Sequence, residues 1–252
     1  DVEESVKKPR KYIYNNYVNT KKLLEVCILN NLNKIIFSST AAVYGNTKTG
    51  IVSEKSIKKP FSPYAISKLK CEKFIKSNKK LKYIILRYFN VAGSDLKLRS
   101  GLISKKKSTH LIKKISEYYL KNKSIEIYGN DYPTKDGTAI RDYIHVSDLA
   151  CAHYQSAIYL LKNNKSNIFN CGYGRGYSVL NVVKTFNRIN KKKILIKFGK
   201  RRKGDIYKLV ARANKIKKIL KWIPRQESLK EILISSLKWE KKLNRNYADK
   251  PN

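Results

Sequence analysis

The sequence predicts an α/β fold built on a parallel sheet, and three features of the chain support this prediction. Short apolar segments at residues 34–38 and 81–88 have the length and branched side chains of buried strands. A longer segment at about 12–31 has the apolar spacing of an amphipathic helix, and a second helix is predicted at 63–77. This alternation of helix and strand is typical of βαβ units, whose strands are parallel.

The helix at 63–77 is predicted from its first residues. Ser62 is suited to the N-cap position and Pro63 to the first helical position. A loop at 41–61 separates this helix from the strand before it.

Polar or aromatic residues follow both predicted strands. A run of hydroxyl side chains that ends at Thr40 follows the first strand, and Phe89 and Asn90 follow the second. In parallel sheets, ligands bind beyond the carboxyl ends of the strands. We therefore expect these two groups of residues to converge on one site.

Beyond Gly93 the pattern is less regular and predicts a smaller, mixed α/β domain. We expect a first domain at residues 1–92 and a second at 93–252, with some later segments returning to the first sheet. The ordered segments predicted there are a helix at about 110–121, a strand at 125–128, a polar loop at 129–138, a segment at 141–146, a helix at about 148–161, segments at 167–171, 179–189 and 194–198, and two C-terminal helices.

Composition argues against several classes of protein. The 252-residue chain has a formal net charge of +38, but its lysines are spread along the sequence. The lysine runs at 105–107 and 191–193 are short, and no nucleic-acid-binding motif accompanies them. We therefore expect no specific nucleic-acid partner. No apolar run reaches the roughly 18 residues of a membrane span, so no membrane association is expected.

The four cysteines are far apart in the sequence, and the chain has only three histidines. No Cys-x-x-Cys pair is present, so we expect no metal site. The settings of the cysteines and the lack of a secretory signal indicate a reduced protein of the cytoplasm.

Tyr64 and Lys68 form the strongest chemical signal in the sequence. They lie four residues apart on a predicted helix and therefore share one of its faces. A phenol titrates near pH ~10, and a neighbouring ammonium lowers that pKa because it favours the phenolate. The hydroxyl of Thr40 can complete a proton relay to a substrate alcohol. These three residues are the predicted catalytic group.

The same Tyr-x-x-x-Lys spacing also occurs at Tyr17, Tyr44 and Tyr119. The copy at Tyr64 has, in addition, a helix-start signal, small neighbouring residues and a hydroxyl cluster some two dozen residues upstream. This context favours Tyr64 as the catalytic tyrosine.

The arrangement of Thr40, Tyr64 and Lys68 resembles the triad of the short-chain dehydrogenase/reductase family. Other segments are similar to the UDP-glucose 4-epimerases, which belong to the extended group of that family. These segments occur in the same order as in the epimerases, from about Glu4 to Trp239. The most specific are Tyr-Gly-Asn-Asp-Tyr-Pro-Thr at 128–134 and Arg-Asp-Tyr-Ile-His-Val at 141–146, and the others lie at 37–45, 87–93, 136–138 and 201–205. The resemblance implies a Rossmann-like, doubly wound parallel sheet with a nucleotide-sugar domain.

The resemblance also implies NAD as the cofactor and a role for each matching residue. Tyr64 would take the proton from the sugar 4-hydroxyl, Thr40 would relay it, and Lys68 would hold the nicotinamide ribose. Asn16 and Phe89 match further contacts with NAD. The residues implied to bind the UDP-sugar are Asn90, His110, Leu111, Glu126, Ile127, Tyr128, Arg141, Arg202, Asp205 and Leu209.

Within this substrate set, the chemistry of each side chain suits the implied contact. The guanidinium forks of Arg141 and Arg202 suit a diphosphate. Asp205 would accept hydrogen bonds from the ribose hydroxyls, and Tyr128 would offer an aromatic face to uracil. Leu209 would lie beside the sugar.

Three features depart from the family pattern. Lys113 replaces a usual proline, and Asn16 is followed by the bulky Tyr17. The glycine-rich phosphate loop of dinucleotide folds is absent. The glycines at 172–176 have a different spacing and no acidic residue about 20 positions later, so we interpret them as a structural turn.

The absence of that loop leads us to expect that residues 1–252 lack the N-terminal strands of the sheet and the adenosine pocket. Expressed alone, this fragment is expected to be poorly soluble because one sheet edge would be unpaired. It is also expected to hold no NAD and to show no epimerase activity. Soluble, NAD-bound and active protein would refute this expectation.

The resemblance leaves several alternatives open. Other 4-epimerases, acting on UDP-N-acetylglucosamine or UDP-glucuronate, share the scaffold. A 4,6-dehydratase needs an Asp-Glu pair after the triad hydroxyl, whereas Ala41 and Ala42 follow Thr40 here. A non-catalytic nucleotide- or RNA-binding module is disfavoured by the intact triad. Family analogy further suggests a homodimer.

Overall fold

The structure, a computed structural model, describes residues 2–104, 108–202 and 204–248, with side chains through Arg245. The lysine run at 105–107 therefore lies outside the described residues. In chain order the elements are α1 (Val2–Lys7), α2 (Pro9–Tyr12), a π-helical segment (Ile13–Val18), α3 (Asn19–Leu29), β1 (Lys34–Thr40), a 3-10 turn (Ala41–Tyr44), β2 (Ile51–Val52), α4 (Pro63–Ser77), β3 (Lys82–Tyr88), β4 (Asn90–Ala92), α5 (Leu111–Leu120), β5 (Ile125–Tyr128), β6 (Ile140–His145), α6 (Val146–Asn163), β7 (Asn167–Cys171), β8 (Gly176–Ser178), α7 (Val179–Ile189), β9 (Ile196–Gly199), β10 (Lys208–Ala211), α8 (Asn214–Leu220) and α9 (Leu229–Ala248).

The chain forms two compact units. The first comprises the chain up to Phe89 with residues 151–174 and 209–223, and the second comprises 90–150, 175–208 and the chain from Pro224. The first boundary therefore falls after Phe89 rather than after residue 92. Within the described ranges, no helix is both long enough and apolar enough to cross a lipid bilayer.

The predicted α/β class is confirmed, and the longer elements lie close to their predicted positions. Helix α4 has the predicted bounds, whereas the single helix expected at 12–31 is divided by the π-helical segment. Helix α1 and the strands β2, β4, β8 and β10 were not predicted. Each has six residues or fewer, too short for periodicity to identify.

In the first unit, β1, β3 and β7 form a parallel sheet in the order β1-β3-β7. The register pairs Thr40 with Tyr88, so β1 and β3 end at the same level. Leu24 of α3 and Ile75 of α4 are buried in one cluster with Ile85 of β3. The carboxyl ends of the two strands converge, as the sequence predicted.

A buried ion pair links the elements of the first unit. Nη2 of Arg87 lies 2.6 Å from Oε2 of Glu72, and both side chains are 2% exposed. Ser39 donates a hydrogen bond to Glu72 at 2.5 Å, and Arg87 donates to the Tyr44 hydroxyl at 2.8 Å. Tyr44 donates in turn to Asn170 at 2.6 Å. The network therefore joins β1, the 3-10 turn, α4, β3 and β7.

The second unit contains short pairs of strands and packed helices. Strand β4 pairs with β6 and β5 with β9, both in parallel, and β6 pairs with β8 in antiparallel. Helix α5 packs against α7 and α9. This unit has the mixed α/β character that the sequence predicted.

Lys113, which departs from the family pattern, lies in the first turn of α5. A helix tolerates proline there because first-turn amides have no partner within the helix, so either residue fits the same backbone. The Lys113 side chain is 5% exposed, and its ammonium forms ion pairs with Glu240 of α9 and, at 3.2 Å, with Glu117 of α5. Lys113 therefore joins α5 to α9 through a buried charge.

Removing one partner of the Arg87–Glu72 pair should cost far more stability than breaking an exposed pair. We expect Glu72→Leu to lower the free energy of unfolding by about 3–5 kcal/mol, because Arg87 would keep a buried, uncompensated charge. Lys7→Met removes an exposed pair with Glu3 and should change that free energy by less than about 0.5 kcal/mol. Urea denaturation followed by circular dichroism measures both. Similar small effects would contradict the assigned importance of the buried pair.

Candidate functional site

The three predicted catalytic residues lie together in the first unit. Thr40 is the last residue of β1, and its side chain acts on the Tyr64 phenol in the direction that lowers the pKa of that phenol. Nζ of Lys68 donates to the backbone carbonyl of Ser38 at 2.9 Å. A phenol, a hydroxyl and an ammonium therefore meet at the carboxyl end of β1.

Helix α4 begins as its sequence predicts. The Ser62 hydroxyl accepts a hydrogen bond from the Ala65 amide at 3.2 Å, and Pro63 occupies the first helical position. This cap fixes the first turn of the helix, which contains Tyr64. Lys68 follows one turn later on the same face.

The other Tyr-x-x-x-Lys copies have different settings. Tyr44 is buried in the 3-10 turn and donates to Asn170 at 2.6 Å. Helix α5 ends at Leu120, before the lysine that follows Tyr119 in that copy. Tyr17 lies in the π-helical segment, with the Lys70 ammonium 5.6 Å from its ring centroid.

Burial is the largest influence on the pKa values of Tyr64 and Lys68, two of the predicted catalytic residues. It raises the pKa of the Tyr64 phenol, and the Thr40 side chain offsets only part of this effect. Burial also lowers the pKa of the Lys68 ammonium. From the sequence, Lys68 is expected to lower the Tyr64 pKa, whereas burial has the largest effect on that pKa in the structure. The Lys68 ammonium is hydrogen-bonded to the Ser38 carbonyl, and desolvation of the phenol is the largest influence on the Tyr64 pKa.

Tyr88, which the sequence analysis did not single out, adjoins this group from β3. Its hydroxyl donates to Oγ of Ser38 at 2.5 Å and is hydrogen-bonded to Nε2 of His153 at 2.5 Å. Burial raises the pKa of Tyr88 to about 12, so the phenol stays protonated near neutral pH. Ser38 is thus held through its hydroxyl by Tyr88 and through its carbonyl by Lys68.

The two residues matched to NAD contacts also lie in the first unit. The Asn16 side-chain amide donates to Oγ of Ser67 at 3.1 Å, and its backbone carbonyl accepts the Cys71 thiol at 3.1 Å. Asn16 lies in the π-helical segment, a distortion that is frequent at functional sites. Phe89 is buried directly after β3, where its amide donates to the Cys171 carbonyl at 3.0 Å.

Four predicted substrate residues cluster in the second unit. Oδ1 of Asp205 lies 3.6 Å from Nη2 of Arg141, and its Oδ2 lies 3.8 Å from Nε of Arg202. The Arg202 guanidinium lies 4.4 Å from the centroid of the Tyr128 ring. Both ion-pair distances exceed the roughly 2.7–2.9 Å of a charge-assisted hydrogen bond. The two arginines therefore retain donor capacity for an anion.

The other six predicted substrate residues lie in or directly beside β4, α5, β5 and β10. Asn90 begins β4, His110 is the N-cap residue of α5 with Leu111 after it, Glu126 and Ile127 lie in β5, and Leu209 lies in β10. Leu209 is buried and belongs to the first unit, whereas the other five belong to the second.

The structure gives little support to a metal site or to a glycine-rich phosphate loop. In the part of the chain that the structure describes, no group of three or more His, Cys, Asp or Glu side chains is placed to hold a metal ion. The four cysteines are free thiols. Gly174 adopts a φ of +79° two residues before β8, so the chain bends between β7 and β8, in agreement with a structural role for these glycines.

A Tyr–Thr–Lys group at the end of a parallel sheet, as found in the first unit, is the arrangement that resembles the triad of the short-chain dehydrogenase/reductase family. Residues 1–172 match the model of the NAD dependent epimerase/dehydratase family. The chain belongs to this family.

Relatives of known name agree with this assignment. The UDP-glucose 4-epimerase of Azospirillum brasilense is 42% identical over 249 residues, which cover 97% of this chain and 71% of that protein. A crystal structure of the Stenotrophomonas maltophila UDP-glucose 4-epimerase with bound NAD and formylated UDP-arabinopyranose matches with a TM-score of 0.93 at 30% identity, covering 98% of this chain and 74% of that one. The UDP-Glc/GlcNAc 4-epimerase of Campylobacter jejuni matches with a TM-score of 0.79 at 42% identity, covering 96% and 74%.

The position of Tyr64 predicts the effect of removing its hydroxyl. In protein that holds NAD, Tyr64→Phe should keep UDP-sugar binding but lower turnover by about 10²–10⁴, the usual range for a positioned acid or base. Tyr17→Phe, from another Tyr-x-x-x-Lys copy, is the matched control and should keep normal turnover. Steady-state kinetics with UDP-galactose measures both. Normal turnover of Tyr64→Phe together with lost turnover of Tyr17→Phe would show that Tyr17, not Tyr64, is the catalytic tyrosine.

Proposed function

We propose that this protein interconverts UDP-glucose and UDP-galactose by transient oxidation of the sugar at C4, with NAD as its cofactor. The strongest support is the Tyr64 phenol, whose pKa the Thr40 side chain lowers and which lies one helical turn before the anchored Lys68. Membership of the NAD dependent epimerase/dehydratase family supports the same reaction. So do relatives named UDP-glucose 4-epimerase at 34–42% identity over nearly the whole chain.

The cluster in the second unit is proposed to bind the UDP portion. Arg141 and Arg202 present planar donor forks that suit a diphosphate. Asp205 accepts from the ribose hydroxyls, and Tyr128 contacts the uracil ring. The other nucleotide-sugar contacts are assigned to Asn90, His110, Leu111, Glu126 and Ile127.

The residues of the first unit suit NAD. Lys68 uses one of its three N–H donors on the Ser38 carbonyl, which leaves two for the hydroxyls of a nicotinamide ribose. Phe89 offers an apolar surface and Asn16 an amide. When bound, NAD supplies the acceptor and then the donor of the C4 hydride, together with a positive charge.

Tyr64 is proposed to act first as a base and then as an acid. A phenol titrates near pH ~10 and burial raises the pKa of Tyr64 further, so the group is neutral at pH 7 until a positive charge enters the pocket. That charge lowers the pKa, so the phenol can lose its proton to solvent and act as a phenolate base. Oγ1 of Thr40 accepts the Ala42 amide at 3.2 Å, so the Thr40 proton is available to the Tyr64 oxygen. The 4-hydroxyl proton passes through Thr40 to Tyr64 and returns by the same route.

The direct test of this function is interconversion of the two sugars. Protein that holds NAD after purification should convert UDP-galactose to UDP-glucose, followed by NMR of the anomeric protons, with no net change in the NADH absorbance. A preparation that binds both NAD and UDP-galactose but leaves C4 unchanged would contradict the proposal.

UDP-N-acetyl sugars are a second candidate substrate class. The Campylobacter jejuni structure is named for both UDP-Glc and GlcNAc, and a Methanobrevibacter ruminantium structure is named UDP-N-acetylglucosamine 4-epimerase. Leu209, matched to a position beside the sugar, is 7% exposed and smaller than the tyrosine of stricter relatives. Some activity on N-acetyl sugars is therefore expected.

Substitutions at Leu209 test which UDP-sugars the protein accepts. Leu209→Tyr should lower kcat/KM for UDP-N-acetylgalactosamine by about 10-fold to 100-fold, because added bulk excludes the acetamido group. It should leave kcat/KM for UDP-galactose within a few-fold of wild type. Leu209→Ser is the matched control without added bulk. Equal rejection of the N-acetyl substrate by wild type and Leu209→Ser would remove Leu209 as the determinant.

We also propose that the protein acts as a homodimer in the cytoplasm. Helix α3 exposes Leu23, Val26 and Leu29, whose relative exposures are 62%, 56% and 82%. These residues are three apart and share one stripe of the helix, and exposed apolar stripes of this kind mark protein interfaces. Free cysteine thiols suit a reducing compartment.

A further inference from the structure

The phenol of Tyr132 has no hydrogen-bond partner in the described part of the chain. The residue is 5% exposed, and its hydroxyl oxygen is buried. Leaving a buried hydroxyl unpaired costs free energy, so buried polar groups of this kind are rare. A ligand that brings an acceptor to such a donor would remove this cost.

The surrounding turn holds the Tyr132 ring in place. The Arg201 guanidinium lies 4.2 Å from the ring centroid, and the Tyr132 amide donates to the Gly137 carbonyl at 2.9 Å. Gly129 has a φ of +86°, and a Cβ added there would lie 2.6 Å from Cε2 of Tyr132. A side chain at position 129 would therefore displace the ring.

Four charges act on the Tyr132 phenol, and all but that of Arg201 belong to the predicted UDP site. They are those of Asp205, Arg141, Arg201 and Arg202. Burial and then Asp205 raise the pKa of Tyr132 more than the three arginines lower it, so the phenol keeps its proton at neutral pH. Tyr132 therefore keeps an O–H donor on a ring that contacts the Arg201 guanidinium.

We propose that Tyr132 is a further substrate-binding residue, whose hydroxyl donates a hydrogen bond to a phosphate oxygen of the nucleotide diphosphate. This assignment rests on the proposed function. A diphosphate has several oxygen acceptors that face different donors at once, so Arg141, Arg202 and Tyr132 can bind it together. Tyr132 would thus exchange an unpaired state for a charge-assisted hydrogen bond when the substrate binds.

Removing the hydroxyl tests this assignment. Tyr132→Phe should weaken UDP binding by about 10-fold to 100-fold, the range for losing a hydrogen bond to a charged group. Uridine affinity should not change, because uridine has no phosphate. Isothermal titration calorimetry with each ligand measures both. The ligand-free melting temperature should stay equal or rise, since the deleted hydroxyl had no partner.

A matched control removes a phenol elsewhere in the same unit. The Tyr119 ring packs edge-on against Phe186 at a centroid distance of 5.3 Å, so Tyr119→Phe should leave both affinities unchanged. Unchanged UDP affinity of Tyr132→Phe would overturn the assignment. Equal losses for UDP and uridine would also overturn it, as would a lower ligand-free melting temperature. Wild-type protein that binds neither ligand would refute the proposed nucleotide site itself, a result visible without any variant.

Discussion

The ion pair between Arg87 and Glu72 is the interaction on which the geometry of the catalytic residues depends. Two charges removed from water are stable only when their hydrogen-bonding capacity is also met. Ser39 donates to Glu72, and Tyr44 accepts from Arg87, so each charge has a neutral partner as well as an ionic one. Glu72 belongs to α4 and Ser39 to β1. The pair therefore fixes the helix of Tyr64 against the strand that ends at Thr40.

This fixed scaffold explains how a buried tyrosine can serve as a reversible acid and base. Desolvation alone favours the neutral phenol, and the Thr40 side chain favours the phenolate. The balance between these two effects depends on how close the Thr40 side chain lies to the phenol, so it depends on the position of α4. Tyr88 and Lys68 both bind Ser38, so the end of β1 is held from the neighbouring strand and from the helix.

The sequence predicted what depends on local signals and missed what depends on burial or on distant segments. Helix α4 and its N-cap were predicted because Ser62 and Pro63 are adjacent to the residues they order. The raised Tyr64 pKa was not predicted, because residue spacing does not reveal desolvation. Tyr132 was recognised from the sequence only as part of the motif at 128–134. Its setting arises from three separate segments, around Gly129, Arg141 and Arg202, that meet only after folding.

The two units solve different electrostatic problems, and the difference suits an epimerase. The first unit compensates its buried charges within the protein. The cluster in the second unit has three guanidinium groups, and its carboxylates Asp131 and Asp205 leave a net positive charge for a diphosphate. An enzyme that accepts both epimers at C4 cannot depend on tight contacts with the sugar, because each such contact would favour one epimer. A positively charged cluster that binds the nucleotide portion, as proposed for the second unit, meets this requirement.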